Sequence, residues 1–153
     1  MTLYIDGDAF PNLLKPIVHK AIEKGAIQTV VIANKKINIG VSSHTTYLIV
    51  ESKENEADDK IVELLEENDL VITADIPLAD QCLEKKAHAI DHRGIMYTHD
   101  NIKNYLAMRN LMQEIRDSGE MTKGPAHFNA KDAQKFANAL NNFLQQHYKT
   151  IKG

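Results

Sequence analysis

The sequence predicts an α/β protein: three layers, with a mostly parallel central sheet of about 4–5 strands and helices on both faces. Three observations carry this. Short runs such as Leu3–Asp6, Thr29–Ala33 and Leu70–Thr73 are continuously apolar or β-branched, as in strands buried on both faces. Between them lie segments whose apolar residues recur at helical spacing. Acidic or polar residues end the runs, so the strands' C-terminal ends open onto charge.

Leu3–Asp6 is the first strand. Gly7, without a Cβ, lets another group approach closely. Pro11 suits a helix's first turn, and Leu13, Leu14, Ile17, Val18, Ala21 and Ile22 carry a helix from Pro11 to about Lys24, with Gly25 as its stop. Thr29–Ala33 and Tyr47–Val50 are strands, the first ended by Asn34-Lys35-Lys36. Asn55 can cap a helix whose stripe is Ala57, Ile61, Leu64 and Leu65. Leu70–Thr73 is a strand, and Pro77 starts a helix through about Glu84. Ala87–Ile90 is a last short strand, and His92–Thr98 reads as a polar loop. Asn101–Arg116 is a helix with Ile102, Leu106, Leu111 and Ile115 in its apolar set. Ser118-Gly119 and Lys123-Gly124-Pro125 punctuate. A final helix runs from Ala130 to about Tyr148. The strand–helix alternation makes crossovers that favour parallel pairing.

The length of 153 residues fits one α/β domain over 1–150, with 151–153 as a frayed tail. Eighteen Lys and Arg against 21 Asp and Glu leave a net charge of -3, which opposes a large nonspecific basic surface but allows a local groove. The lone Cys82 cannot form an internal disulfide, which fits a reducing compartment. No run reaches the ~20 apolar residues of a membrane span, and no basic segment precedes an apolar one at the start, so no membrane partner and a cytoplasmic location are expected. Nothing in the sequence sets the oligomeric state.

In open parallel sheets ligands bind beyond the strands' C-terminal ends. Asp6 and Asp8 follow the first strand, and Asp75 follows Leu70–Thr73. These acids therefore share one sheet edge, with Asp80 further along the next helix. Asp58, Ile61, Val62 and Leu65 follow an i, i+3, i+4, i+7 pattern, which turns Asp58 inward and leaves Asp59 toward solvent. Each acid alone has a structural role open to it. Asp8 and Asp75 could end turns or cap helices before Pro11 and Pro77, and Asp58 could stabilise a helix N-terminus. Jointly, carboxylates at one edge repel unless a cation is present. All-oxygen ligands favour Mg²⁺ or Mn²⁺ over zinc, and such an ion suits hydrolysis at a phosphate ester.

These residues also resemble known families. Ile5-Asp6-Gly7-Asp8-Ala9 looks like the opening of PIN and NYN domains, metal-dependent nuclease folds. Ala57-Asp58-Asp59-Lys60-Ile61-Val62 and Ile72-Thr73-Ala74-Asp75 fit the order of their later acids. The chain resembles still more closely the YaiI/YqxD family of uncharacterised bacterial proteins. That likeness runs through Val31–Asn34, Ala57-Asp58, Leu70–Ala79, Arg93-Gly94, Tyr97, Asn101-Ile102, Met108-Arg109, Gly119 and Gly124-Pro125. It implies a PIN-like fold without supplying a reaction. The family usually has Cys at Phe10, Asn at Asp59 and Gly at Lys123. The first departure argues against an essential thiol there, the second favours Asp58 as the ligand, and the third replaces a glycine cradle with a possible charge.

The leading expectation is therefore a PIN-like, Mg²⁺- or Mn²⁺-dependent hydrolase of RNA or another phosphodiester. Asp6, Asp58 and Asp75 would hold metal, with Asp8 and Asp80 in support. Asn34, Arg93, Arg109 and Lys123 are candidate substrate contacts, with Arg116 behind them. His92 and His99 are candidates for proton transfer, and Cys82 for packing. One alternative is a phosphatase of the haloacid dehalogenase class, with Asp6 as nucleophile and Asp8 as general acid; Ala9-Phe10 stands where that class wants Thr or Val. Another is a noncatalytic nucleic-acid- or protein-binding module.

Overall fold

A computed structural model describes residues 1–51, 56–119 and 127–148. Asn55, Lys123 and the 151–153 tail lie outside the described residues. The strands are β1 (Leu3–Asp6), β2 (Thr29–Ala33), β3 (Thr45–Ile49), β4 (Leu70–Ile72), β5 (His88–Ile90) and β6 (Met96–Tyr97). The α-helices are α1 (Lys15–Gly25), α2 (Glu56–Leu64), α3 (Ile76–Glu84), α4 (His99–Asp117) and α5 (Ala130–Phe143).

The strands form one sheet in the order β3-β2-β1-β4-β5-β6. Every pair is parallel except β5–β6. The chain steps outward from β1 through β2 to β3, then returns to lay β4 on β1's other side. The order thus reverses between β1 and β4, the position where open α/β sheets leave a crevice for ligands.

Side-chain alternation sorts the core into two layers. Leu3 and Ile5 of β1 pack with Leu14, Val18 and Ile22 beside α1 and with Ala133, Phe136, Leu140 and Phe143 of α5. Tyr4 packs on the other face with Ala57 and Ile61 of α2, Leu78 and Cys82 of α3, and Ile102 of α4. Phe136 is fully buried, and truncating such a residue to Ala typically costs about 3–5 kcal/mol. Asp6, next after Ile5, falls on Tyr4's face and so points toward α2 and α3.

The sequence expectations hold for the five longer strands and differ at the edges. The helix expected from Pro11 opens with a 3₁₀ turn over Asn12–Leu14, and α1 begins at Lys15. Its stop is Ala26, left-handed at φ 48°, while Gly25 remains helical. β6 interrupts the expected polar loop, because Gly94 (φ 89°) and the Asp91 carboxylate, which accepts from the Arg93 and Ile95 amides, fold that loop into a hairpin. α4 starts at His99 behind a Thr98–Asn101 capping box. Its expected apolar set is buried only at the start: Ile102 is 2% exposed, whereas Leu111 is 50% exposed. The last helix changes at Leu144 to a π turn ending at Tyr148.

Candidate functional site

Apolar strands β1 and β4 end side by side, so their first polar residues meet. Thr73, buried just past β4, donates from Oγ1 to Asp6 Oδ2 at 2.8 Å. Thr73 Oγ1 in turn accepts from the Asp75 backbone amide at 3.0 Å. Thr73 therefore links the two strand ends and fixes both acids. Nothing in the apolar pattern had marked it; its place between a buried strand and an acid was the available signal.

Asp75 carries two roles together. It caps α3, with Oδ1 accepting from the Leu78 amide at 3.0 Å, and its carboxyl faces that of Asp58 within hydrogen-bonding range. Asp58 comes inward as its helical spacing with Ile61 predicts, while Asp59 is exposed. Tyr4 Oη donates to Leu64 O at 3.1 Å and anchors the far end of α2 to β1.

The electrostatics follow from this crowding. Burial, then the Asp75 charge and hydrogen bond, then the Asp6 charge push the Asp58 carboxyl up to about 7. Burial pushes Asp6 up to about 6. The Thr73 and Asp8 hydrogen bonds oppose that rise, and the Asp8 and Asp75 charges add to it. The neighbouring charges that act most strongly on both acids are those of other carboxylates. The arrangement favours the protonated form of Asp58 and of Asp6. Among the described residues no three His, Cys, Asp or Glu side chains already converge as ligands of one ion.

Asp8 does something the spacing did not reveal. Its amide donates to Asp6 Oδ1 at 3.3 Å, and its Oδ1 accepts from the Asn34 amide at 2.8 Å. It thereby ties the β1–α1 turn to the β2–β3 loop. Gly7 continues the ladder, donating to Ile32 O at 2.8 Å. The close approach expected at Gly7 is made by β2: a Cβ there would lie 2.9 Å from the Ala33 Cβ.

The other candidates are distributed as follows. Asp80 is half-buried on α3 beyond the cap. Asn34 reaches the site's rim through its amide. Arg93 is 3.2 Å from Asp132 and lies over the Phe128 ring, which ties the β5–β6 loop to α5. Arg109 and Arg116 are exposed on α4. His92 packs edge-on against Phe10, and burial and the Arg93 charge push its imidazole down to about 4. His99 is exposed at the start of α4. Cys82 is buried and its thiol is pushed up to about 12, chiefly by burial, which suits packing. Three lysines that sequence reasoning passed over, Lys15, Lys35 and Lys36, share an open cleft with Asp8 and Asn34. No helix among the described residues is long and apolar enough to cross a membrane.

The chain is similar to proteins across many bacteria. The profile of an uncharacterised family, YaiI/YqxD, matches residues 4–146. A UPF0178 protein of Sulfurovum sp. is 65% identical over 144 residues, covering 94% of this chain and 97% of that one. A UPF0178 protein of Syntrophotalea carbinolica is 44% identical over 147 residues, covering 96% of this chain and 99% of that one. A solved homospermidine synthase from Legionella pneumophila, in complex with NAD, matches 91% of this chain and 38% of its own at 15% identity and a TM-score of 0.47. That structural likeness is too slight to bear on activity. With a profile spanning nearly the whole sequence and full-length relatives this similar, the chain belongs to the YaiI/YqxD family.

Proposed function

We propose that the chain is a divalent-metal-dependent phosphodiester hydrolase acting on RNA, with Asp6, Asp58 and Asp75 as its metal-holding carboxylates. The observation that carries this reading is the crowding of those acids where β1 and β4 end. Asp6 and Asp58 are both raised, each in part by its acidic neighbours. The donor set is oxygen throughout, which fits Mg²⁺ or Mn²⁺. When bound, such an ion supplies charge stabilisation at the phosphate and activates water.

The chain's own residues supply the rest. Asp58, whose carboxyl is held up by burial and its acidic neighbours, would give up its proton when the ion binds. Thr73 keeps Asp6 turned toward α2 and α3. Asp75 is held by its cap to Leu78, so it needs little reordering. Asp8 positions the adjoining loop through Asn34. The phosphatase alternative is less well supported: Asp6 Oδ2 and Asp8 Oδ1 are both engaged by protein donors, where that chemistry wants a free nucleophile and a free general acid.

The test is cleavage of single-stranded RNA by the purified protein with Mn²⁺, beside an Asp75→Asn variant. Metal-dependent cleavage lost in the variant supports the reading. Cleavage that persists in EDTA or in the variant overturns it, as does no cleavage by the wild type.

A further inference from the structure

We propose that the cleft between the β1–α1 turn and the β2–β3 loop binds the phosphates of a single-stranded nucleic acid through Lys15, Lys35 and Lys36, beside the acidic centre. The strand as ligand rests on the hydrolase reading above; the anion chemistry of the cleft stands by itself.

The cleft has a volume of about 560 Å³, within the range of sites that hold small ligands. Phe10 and Ile37 give it apolar surface, and the three lysines give it charge. Among the described residues the only carboxylate lining it is Asp8, whose Oδ1 is already engaged by the Asn34 backbone amide. None of the three lysines pairs with a carboxylate among the described residues. The backbone amides of Lys35, Lys36, Ile37 and Asn38 donate to no other group among the described residues. Three ammonium-bearing side chains gathered on one cleft make a concavity that attracts an anion.

Its position gives it meaning. Lys35 and Lys36 follow β2 directly, and Lys15 opens α1. The pairing of β1 with β2 brings these two connections together. Asp8 links them, with its amide on Asp6 and its carboxylate on Asn34. The cationic cleft therefore adjoins the acidic centre through one residue. A chain with net charge -3 needs such a local concentration of positive charge to hold a polyanion. The separation of signs also assigns roles: lysines hold a phosphate, and the acids act on its neighbour.

The test measures fluorescence anisotropy of a labelled single-stranded oligoribonucleotide in EDTA, which excludes metal-dependent cleavage. Wild type is compared with a Lys35→Glu/Lys36→Glu variant, and with Lys15→Gln as a milder second variant. Both are checked for an unchanged unfolding temperature. The double variant should bind roughly tenfold more weakly, since two exposed charge contacts are lost and reversed. Its plot of log affinity against log salt should flatten by about 1.4, at ~0.7 per phosphate contact on a single strand. Lys15→Gln should flatten it by about half as much.

Equal affinity and slope in wild type and both variants overturn the proposal, and so does no RNA binding by the wild type. A 5′-mononucleotide that displaces the strand at concentrations matching the strand's own affinity makes the cleft a nucleotide site and overturns the strand assignment. Failure of the hydrolase reading is distinguishable: lysine-dependent binding without any Mn²⁺-dependent cleavage sinks that reading and leaves the anion site standing.

Discussion

Replacing Asp58 by Asn should stabilise the metal-free protein at alkaline pH. The substitution keeps the side chain's shape, and the amide can donate to Asp75 as the protonated acid does. It removes a charge that the fold disfavours. The Asp58 carboxyl is lifted from 3.8 to about 7, first by burial and then by Asp75. A carboxyl with a raised folded value contributes stability that is complete below pH 3.8 and lost as pH rises through 7. Roughly three pH units would correspond to about 4 kcal/mol at 1.36 kcal/mol each. Asp58 is only partly buried, so solvent screening reduces the effect to about 1–2 kcal/mol. For a domain of this size that is a rise of roughly 4 °C in Tm. The assay is thermal unfolding followed by circular dichroism in EDTA. The variant should melt higher at pH 8 and at the wild-type temperature at pH 4. A variant that melts at or below wild type at pH 8, or gains equally at both pH values, refutes the reasoning.

Two further outcomes follow from the same structure. Gly7→Ala places a Cβ 2.9 Å from the Ala33 Cβ and 3.3 Å from Ile32 O, so β1 and β2 must separate; a loss of about 1–3 kcal/mol is expected in urea unfolding. His92 has an Nε2 that is buried without a hydrogen-bond partner among the described residues, and its imidazole is pushed down to about 4. Its contribution is intact above pH 6.5 and falls as pH drops toward 4, by up to about 3 kcal/mol. His92→Phe should therefore lose less stability than wild type between pH 7 and pH 4.5, as read by urea midpoints at the two pH values.

Much of the fold was legible because buried parallel strands are short apolar runs with sharp polar ends. Thr29–Ala33 matches its predicted bounds residue for residue. β6 was not legible, since two residues inside a polar loop carry no period, and only the Gly94 turn brings them against β5. α4 shows the limit of helical spacing: Met108 and Leu111 keep the apolar rhythm yet are 57% and 50% exposed. At the site, Asp58 could be placed because its partners Ile61 and Val62 lie on the same helix. Asp75 satisfied both its readings, cap and acidic centre, so the choice between them was a false one. Arg93 was a candidate because it lies within the family resemblance; its contact with Asp132, 39 residues away, could not be read from the sequence. The lysine cleft was invisible for the same reason: it exists only once β1 and β2 are adjacent.

The central claim, that the acids between β1 and β4 exchange protons for a divalent cation, is tested most directly by calorimetric titration of Mn²⁺ at pH 6.5 in buffers of different ionisation enthalpy. Near that pH the Asp58 carboxyl, at about 7, is mostly protonated and the Asp6 carboxyl, at about 6, is partly so. The account predicts saturable binding with proton release, with both lost in Asp58→Asn. Binding whose heat is independent of the buffer, binding unchanged in the variant, or no binding at all would contradict it.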